Sequence, residues 1–489
     1  MTVIPVTIKW AGQKPFEVEV DTEESGATLK MQIYSITGVE TDRQKLLVKG
    51  GALKDDQDMS KLGLKPKQTL MLMGSASELP QAPTQKIVFM EDMDESELAM
   101  ASKSPPGLQN LGNTCYMNST LQLLRAIPEL QTELGNFSGA NLTGSLRDLY
   151  KSMDKTSESF PPAMFLQALR NVYPQFAQQS RSGMGFAQQD AEECWSQIIY
   201  TLRQNLKAST GSVSGAESSL DTFMSGRMKT IMTCAESDAE PVVETQEPFV
   251  KLNCHIGSTT NYMIDGIRDS LTDQIEKHSD VLDRNATFIK KSSVSRLPKY
   301  LNVNFVRFFF KTGIQKKAKI LRKVGFPFEL DATELCTDDL RQKIAPIRDR
   351  VRELQKAEED AERARKRTKT QLTDEGASSS EISAKMDTMG ASSDKPDLQK
   401  EVDSLLTEEM KNDTGANNCG LYELIGVLTH SGASADSGHY QAWMKAPMGD
   451  DWYRFNDDKV TVVSKEKIEG LAGGGESDSI YIGLYKSKF

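Results

Sequence analysis

The sequence predicts an α+β fold in two domains, a small N-terminal one and a much larger second one. Apolar residues recur at strand spacing in some segments and at helix spacing in others. Residues 76–104 are rich in Pro, Gln, Ser and acidic side chains, which is typical of a flexible linker. At 489 residues the chain also exceeds the size at which one hydrophobic core stops growing. The predicted domains are therefore residues 1–75 and 105–489.

The composition is that of a globular protein and excludes several functions. Apolar residues make up 38% and charged residues 26% of the chain, both ordinary values. The net charge of −10 argues against a nucleic-acid-binding surface. The first residues lack a secretory signal, and no apolar run is long enough to cross a bilayer. We therefore expect no nucleic acid and no membrane among the partners.

The chain has six cysteines and four histidines, and their spacing argues against a metal site. No C-x-x-C pair occurs, so a structural zinc site is not expected. Six cysteines in so long a chain fit a reducing compartment better than a disulfide framework. We predict neither a metal nor a cofactor.

The first domain has the pattern of a small β-rich unit. The predicted elements, in order, are a strand at 7–10, a strand at 16–20, a helix over 29–36 ended by Gly38, a strand within 44–53 and a strand at 69–73. For the helix, the residues predicted to share one face are Leu29, Ile33 and Ile36. Such a compact unit is at the low end of domain size.

The second domain opens with Gly107-Leu-Gln-Asn-Leu-Gly-Asn-Thr-Cys115-Tyr-Met-Asn-Ser119. Loop-forming residues lead up to Cys115, and Met117, Leu121 and Leu124 follow at helical spacing. Cys115 is therefore predicted at a helix N-terminus, where the helix dipole favours the nucleophilic thiolate. A buried structural cysteine is the ordinary alternative, but it does not require the surrounding glycines and amides.

A catalytic thiolate requires a base, and His439 has the most suitable surroundings of the four histidines. It lies where the small-residue loop 433–438 meets the start of a predicted strand, and Gly438 allows close approach of a substrate backbone. His255 in a predicted strand and His278 on a predicted polar helix are interpreted as structural. His439 is the predicted base.

The segments around Cys115 and His439 resemble the cysteine and histidine boxes of the ubiquitin-specific proteases, which are papain-like thiol hydrolases. The resemblance implies a domain with a helical thumb, a mixed palm and β-sheet fingers. It also assigns the residue that orients the histidine to Asn456, where many members have Asp. Asp457 beside it could supply the missing negative charge, so the division of labour between Asn456 and Asp457 stays open.

The same resemblance assigns residues around the nucleophile and the substrate. Asn110 matches the side-chain donor to the oxyanion, with a simple turn residue as the alternative. Gln189 and Asp190 belong to a glutamine box, and Asp190 is expected to bind the basic tail of ubiquitin. His430 and Tyr440 flank the loop 433–438 and are expected at the substrate channel. In similar proteins such loops cover the cleft until a partner moves them.

The first domain resembles ubiquitin, especially over 44–53 and 69–73, but Met73 is followed by Gly-Ser-Ala in place of Arg-Gly-Gly. The resemblance implies a β-grasp docking module rather than a conjugatable modifier. Leu47, Met71 and Met73 are the predicted receptor-binding residues. For Met71 and Met73, a core or isolated surface position is the equal alternative.

A heavily charged insertion at about 341–414 precedes the histidine box. We interpret it as a solvated helix followed by a disordered segment. A basic cluster at 363–369 could be a localisation signal, although a solvated helix face is the preferred interpretation.

The order of these parts resembles the proteasome-associated members of the protease family in fungi and animals. The resemblance implies hydrolysis of isopeptide bonds at the ubiquitin C-terminus and docking to the regulatory particle of the 26S proteasome, with activation there. It also implies a cytoplasmic and nuclear location, ubiquitin and ubiquitinated proteins as partners, and a monomer when free. One alternative is a non-catalytic ubiquitin-binding regulator of the proteasome, and another is a protease for a different ubiquitin-like modifier.

Overall fold

The computed structural model has two compact units, an N-terminal one and a larger C-terminal one. The described residues are 3–10, 12–49, 51–74, 105–180, 185–207, 218–311, 316–374, 398–434, 437–447 and 449–489. The linker predicted at 76–104 lies outside them. Within these ranges no helix combines the length and apolar character needed to cross a membrane.

The N-terminal unit is a five-stranded sheet with one main helix. Its elements are β1 (Val3–Trp10), β2 (Phe16–Asp21), α1 (Gly26–Thr37), β3 (Lys45–Val48), β4 (Gly51–Ala52) and β5 (Gln68–Met73). The strand order is β2-β1-β5-β3-β4, with β1 and β5 parallel. The predicted strands and helix are all present, and α1 ends at Gly38, whose φ of 69° is left-handed.

The core of this unit follows the two periodicities of its elements. Val6 and Leu70 from the sheet pack with Leu29 and Ile33 from α1, and all four are buried. Ile36, predicted on the same helical face, is instead exposed in the last turn of α1. The alternation along β5 turns every second side chain away from the core.

The larger unit begins with a layer of helices. These are α2 (Cys115–Arg125), α3 (Pro128–Asn136), α4 (Leu142–Met153), α5 (Ala163–Val172), α6 (Ala191–Asn205) and α7 (Ser219–Met224). Every residue from Cys115 to Leu124 is buried, so α2 is the central helix of the layer. The layer packs against sheet residues that include Leu428, Tyr481 and Ile482.

The strands of the larger unit form a central sheet, a second antiparallel sheet and a hairpin. They are β6 (Gly226–Cys234), β7 (Val243–Phe249), β8 (Leu252–His255), β9 (Thr272–Ser279), β10 (Arg284–Arg296), β11 (Tyr300–Val306), β12 (Phe308–Lys311), β13 (Lys316–Lys319), β14 (Glu329–Asp331), β15 (Leu421–Ser434), β16 (Ser437–Lys445), β17 (Trp452–Asn456), β18 (Lys459–Val463) and β19 (Ser479–Ser487). The central order is β18-β17-β16-β15-β19-β11-β8, with β14 paired to β15. The second sheet is β7-β6-β10-β9, and β12 pairs with β13.

His278 lies on β9, so the polar helix predicted for it is wrong. Residues 272–279 pair antiparallel with β10 along the whole of β9. This partner lies outside the short window in which a helical pattern is sought, because strand pairing is non-local.

The charged insertion is more ordered than predicted. It contains α9 (Asp338–Asp374), α10 (Leu398–Leu405) and α11 (Glu408–Asn412), after α8 (Met263–Ser270) and before α12 (Lys465–Glu469). The insertion residues that join the core beneath the central sheet are Ile344, Ile347, Val351, Val402 and Met410. The prediction of disorder is therefore wrong for residues 398–412, while 375–397 lie outside the described residues.

Candidate active site

Cys115 is the first residue of α2, as its sequence context predicted. The chain enters the helix through Gly112 and Asn113, which both have left-handed φ angles, 97° and 53°. Thr114 is the N-cap residue, and its backbone carbonyl accepts from the amides of the first turn. The backbone N–H groups of Cys115 and Tyr116 consequently remain near the sulfur.

The thiol of Cys115 is held in its neutral form. Burial raises its pKa to about 11, and the carboxylate of Asp457 acts in the same direction. Backbone N–H groups, that of Tyr440 foremost, lower the pKa but do not compensate for the loss of solvent. The predicted preference for thiolate is therefore wrong for this state, because desolvation outweighs the helix N-terminus.

His439 lies near the start of β16 and is oriented by Asn456 at the end of the neighbouring β17. Its Nε2 is 2.6 Å from the side-chain oxygen of Asn456. Because that oxygen can only accept, Nε2 carries the proton and Nδ1 keeps a lone pair for a thiol proton. Asp457 is farther away, with its carboxylate 4.0 Å from Nε2. Of the two candidates, Asn456 makes the direct contact with the ring.

Asp457 joins the two halves of the site. Its carboxylate accepts a hydrogen bond from Asn110 at 2.9 Å and another from Asn118 at 2.8 Å, across 347 and 339 residues of sequence. Gly107 allows its own segment to approach the segment of Asp458 closely, since a Cβ there would be 2.4 Å from the carbonyl oxygen of Asp458. Asp457 itself has a φ of 53°, which a short polar residue tolerates.

Asn110 has the contacts of a turn residue in this structure. Its Oδ1 accepts from the backbone N–H of Gly112 at 2.9 Å and of Thr114 at 3.3 Å, while its Nδ2 donates to Asp457. Its role as an oxyanion donor stays a prediction.

Gln188 is a contact of Cys115 that the sequence reasoning missed. Its Nε2 lies 3.7 Å from the Cys115 sulfur and donates to the carbonyl of Gly438 at 3.0 Å. Gln189, the predicted residue, instead places its amide 3.5 Å from the carbonyl of Ala187. Two adjacent glutamines before a helix offer no sequence signal to separate them.

Asn118 was also missed, although one signal pointed to it. It is an amide one turn after Cys115, and it is buried. Buried amides require hydrogen-bond partners, and Asn118 finds one in Asp457.

Asp190 caps α6 and lines a cavity. It accepts from the backbone N–H of Glu192 at 2.8 Å, and the hydroxyl of Tyr481 lies 2.7 and 2.9 Å from its two oxygens. The cavity has a volume of about 250 Å³ and is lined by Asp190, Glu192, Asn304, Val306, Arg307, Phe308, Phe309 and Tyr481. The carboxylate of Asp190 suits a basic side chain, whereas that of Glu192 is already paired with Lys251.

His430 and Tyr440 lie beneath the site, where their side chains are fully buried. Their rings are 4.7 Å apart between centroids, and Phe308 packs edge-on against His430 at 5.2 Å. Burial lowers the pKa of His430 to about 3, so the ring is neutral. The predicted contact of these side chains with substrate is at odds with this burial.

The site is assembled but not in a reactive state. Among the described residues, no hydrogen bond joins the Cys115 sulfur to the His439 ring. The loop expected to cover the cleft, 433–438, is described except for residues 435–436. The described part of the chain contains no cluster of His, Cys, Asp or Glu side chains suited to a metal ion.

Comparison with known proteins accounts for nearly the whole chain. The ubiquitin carboxyl-terminal hydrolase family matches residues 106–485, and the ubiquitin family matches residues 6–77. Ubiquitin carboxyl-terminal hydrolase 6 of Schizosaccharomyces pombe is 47% identical over 490 residues, covering 99% of both chains. Hydrolase 6 of Arabidopsis thaliana is 39% identical at the same coverage, and hydrolase 14 of Caenorhabditis elegans is 33% identical, covering 99% of this chain and 93% of its own. The chain belongs to the ubiquitin carboxyl-terminal hydrolases and is a cysteine-type deubiquitinase with an N-terminal ubiquitin-like domain.

Proposed function

We propose that this deubiquitinase hydrolyses isopeptide bonds at the ubiquitin C-terminus on substrates held at the proteasome, and that docking there activates it. The proposed nucleophile is Cys115 and the proposed base is His439, oriented by Asn456. The observation that carries these roles is the hydrogen bond between His439 and Asn456, next to a carboxylate, Asp457, bonded to the segment that carries Cys115.

The reaction proceeds in two acyl-transfer steps. Cys115 passes its proton to Nδ1 of His439, and its sulfur forms a bond to the terminal glycine carbonyl of ubiquitin while the π electron pair moves to oxygen. The pair returns, the C–N bond breaks, and His439 protonates the leaving lysine amine. Water, deprotonated by His439, then hydrolyses the thioester and releases the thiol.

The cavity beside α6 supports an extended basic tail as the substrate. Asp190 places a carboxylate at its edge, and Phe308 and Phe309 supply apolar walls. A guanidinium or ammonium group on the tail would pair with this carboxylate, whereas Glu192 is already paired with Lys251. The proposed substrate is therefore the C-terminal tail of ubiquitin rather than that of a modifier lacking basic residues there.

The resting state of the site supports activation by a partner. A pKa of about 11 for Cys115 leaves little thiolate at neutral pH, and the sulfur lacks a hydrogen bond to His439. Movement of the start of β16, which carries His439, would create this bond. The proposed partner is the proteasome regulatory particle, whose cytoplasmic and nuclear distribution the enzyme would share.

The N-terminal unit supplies the proposed docking surface. Leu47 pairs with Met71 across β3 and β5, and Lys45 pairs with Met73. The exposed fractions of Leu47, Met71 and Met73 are 41%, 47% and 53%, so the core position considered for the two methionines does not apply. Three adjacent exposed apolar side chains form a patch of the kind that marks a protein interface.

Ubiquitin carrying an electrophilic C-terminus tests the catalytic assignment. We expect the full chain to form a covalent adduct, visible as a mass increase of one ubiquitin, and Cys115→Ala to form none. His439→Ala should slow adduct formation by at least about a hundredfold. Adduct formation that persists in Cys115→Ala would contradict the assignment of the nucleophile.

Purified proteasomes test the proposed site of action. We expect their addition to raise the turnover of the full chain, and deletion of residues 1–74 to reduce both co-sedimentation and this increase. The rival function, a non-catalytic regulator, predicts co-sedimentation with no rise in turnover and no dependence of turnover on Cys115.

A further inference from the structure

We propose that Gln441 is a positioning residue that keeps the side-chain oxygen of Asn456 directed at His439. Arg454 and Asp478 hold Gln441 in place, and we call these three residues the Gln441 network. The inference rests on the proposed roles of His439 and Asn456, because Gln441 acts through Asn456 and not on the substrate.

Gln441 faces Asn456 across two neighbouring strands. Ala442 of β16 pairs with Phe455 of β17 in the antiparallel ladder. The next residue on each strand, towards the active site, is Gln441 on β16 and Asn456 on β17. Side chains that face each other in this way have Cβ atoms about 4.5–5.5 Å apart. The amide of Gln441 is therefore within reach of the Asn456 side chain.

Both ends of the Gln441 amide are occupied by hydrogen bonds to charged groups. Its Oε1 accepts from Nε of Arg454 at 2.7 Å. Its Nε2 lies 3.1 and 3.3 Å from the two carboxylate oxygens of Asp478. Because its oxygen and nitrogen are both committed, Gln441 does not compete with His439 for the oxygen of Asn456.

The network is held by three strands and by the residue that precedes a fourth. Gln441 is only 4% exposed, and the guanidinium of Arg454 lies 5.1 Å from the ring centroid of the buried Trp443. Nε1 of Trp443 donates to the hydroxyl of Thr429 on β15 at 2.9 Å, and this hydroxyl is 3.4 Å from Asp478. Hydrogen bonds to charged groups are stronger in such a water-poor setting, so the orientation of Gln441 is well fixed.

The charged groups of the network lie outside the segment that the proposed activation moves. That segment is the start of β16, which carries His439. Arg454 lies on β17, and Asp478 directly precedes β19. The network can therefore hold the acceptor, Asn456, in place while the ring of His439 moves.

A double-mutant cycle in the full chain separates this role from a purely structural one. Gln441→Met removes both hydrogen bonds but keeps an unbranched side chain of similar length. For hydrolysis of a fluorogenic ubiquitin C-terminal amide, we expect kcat to fall about tenfold with KM within about threefold of the parent. In the Asn456→Ala background the same change should lower kcat by less than about twofold, because the acceptor through which Gln441 acts is already absent.

Moving the carboxylate within the network gives a rescue test. Gln441→Glu places a second carboxylate against that of Asp478 and should lower kcat at least as much as Gln441→Met. Adding Asp478→Asn supplies an amide that donates to the introduced carboxylate, which still accepts from Arg454. We expect kcat of this double variant to return to within about threefold of the parent. Because Asp478 also attracts Lys319, the decisive comparison is between Gln441→Glu and the double variant.

Asn205→Ala is the matched control for a loss of stability. The Asn205 amide joins two helices, since it donates to Thr143 at 3.2 Å and accepts from Asn141 at 3.0 Å. It lies at the opposite end of α6 from Asp190. We expect a lower thermal midpoint and an unchanged kcat.

The inference is wrong if Gln441→Met keeps kcat within about twofold of the parent, or lowers it equally in the parent and in Asn456→Ala. It is also wrong if the double variant is no faster than Gln441→Glu, or if Asn205→Ala loses as much kcat as Gln441→Met. Hydrolysis that survives Cys115→Ala, or that Asn456→Ala leaves unchanged, would instead refute the proposed function. The two failures are therefore distinguishable.

Discussion

The outer face of the ubiquitin-like sheet and the active site of the catalytic unit have opposite physical chemistry. The outer sheet face exposes apolar side chains, Leu47, Met71 and Met73. The active site buries polar groups instead: the amide of Asn118 is 2% exposed, and the Asp457 side chain is 10% exposed.

This contrast predicts how each region responds to single substitutions. An apolar face contributes roughly in proportion to the area it buries on docking, so one truncated side chain weakens binding by a limited factor. A buried polar network depends on each hydrogen bond, because deleting one partner leaves the other unsatisfied. Single substitutions should therefore have large effects in the active site and small effects on the sheet.

Asn456→Ala should show the largest loss. It removes the acceptor 2.6 Å from Nε2 of His439, so the ring loses its orientation and its tautomer. We expect kcat for ubiquitin amide hydrolysis to fall roughly a hundredfold. Asn456→Asp keeps an acceptor and should retain most of the activity. Equal activity of Asn456→Ala and the parent would break the comparison, because the best-formed contact of the site would then be dispensable.

Asp457→Asn should show a smaller loss of activity. In this variant the rates of hydrolysis and of Cys115 alkylation should change in opposite directions. Hydrolysis should fall about tenfold, because Asn110 and Asn118 lose a charged acceptor. The negative charge of Asp457 raises the pKa of Cys115, so its removal should bring that pKa below about 11 and speed alkylation by iodoacetamide at pH 8. If alkylation slows instead, Asp457 does not act on the thiol through its charge.

Met71→Ser should reduce docking about fivefold, measured as co-sedimentation with proteasomes, and leave the free enzyme unchanged. Met31→Ser is the matched control, since Met31 is exposed on α1 and faces away from the sheet. A similar loss from both variants would show that the outer sheet face is not the docking surface.

His430→Phe should change stability alone. The folded pKa of His430 is about 3 and its ordinary value 6.5, so only the unfolded chain takes up this proton between those pH values. Stability from this residue is therefore complete above pH 6.5 and is lost as pH falls towards 3. Between pH 7.5 and pH 5 we expect the free energy of unfolding to fall by about 2 kcal/mol less in the variant than in the parent. Thermal unfolding at the two pH values measures this difference. Identical acid sensitivity would mean that His430 protonates in the fold.

Local sequence patterns determined on which helices and strands several of the predicted residues lie. Period and turn residues placed Cys115 at a helix start and His439 near the start of a strand, and strand alternation places Met71 and Met73 opposite Leu70 and Leu72. Such features depend on neighbours a few residues away, so a sequence window contains their cause.

Only the tertiary structure decided the chemistry of the site. It brought Gln188 to the Cys115 sulfur, tied Asp457 to Asn118, and raised the pKa of Cys115 against the effect of its helix. These outcomes depend on contacts between segments that are 73 residues apart in one case and 339 in another, and on the removal of water. Neither cause is present in any local stretch of sequence.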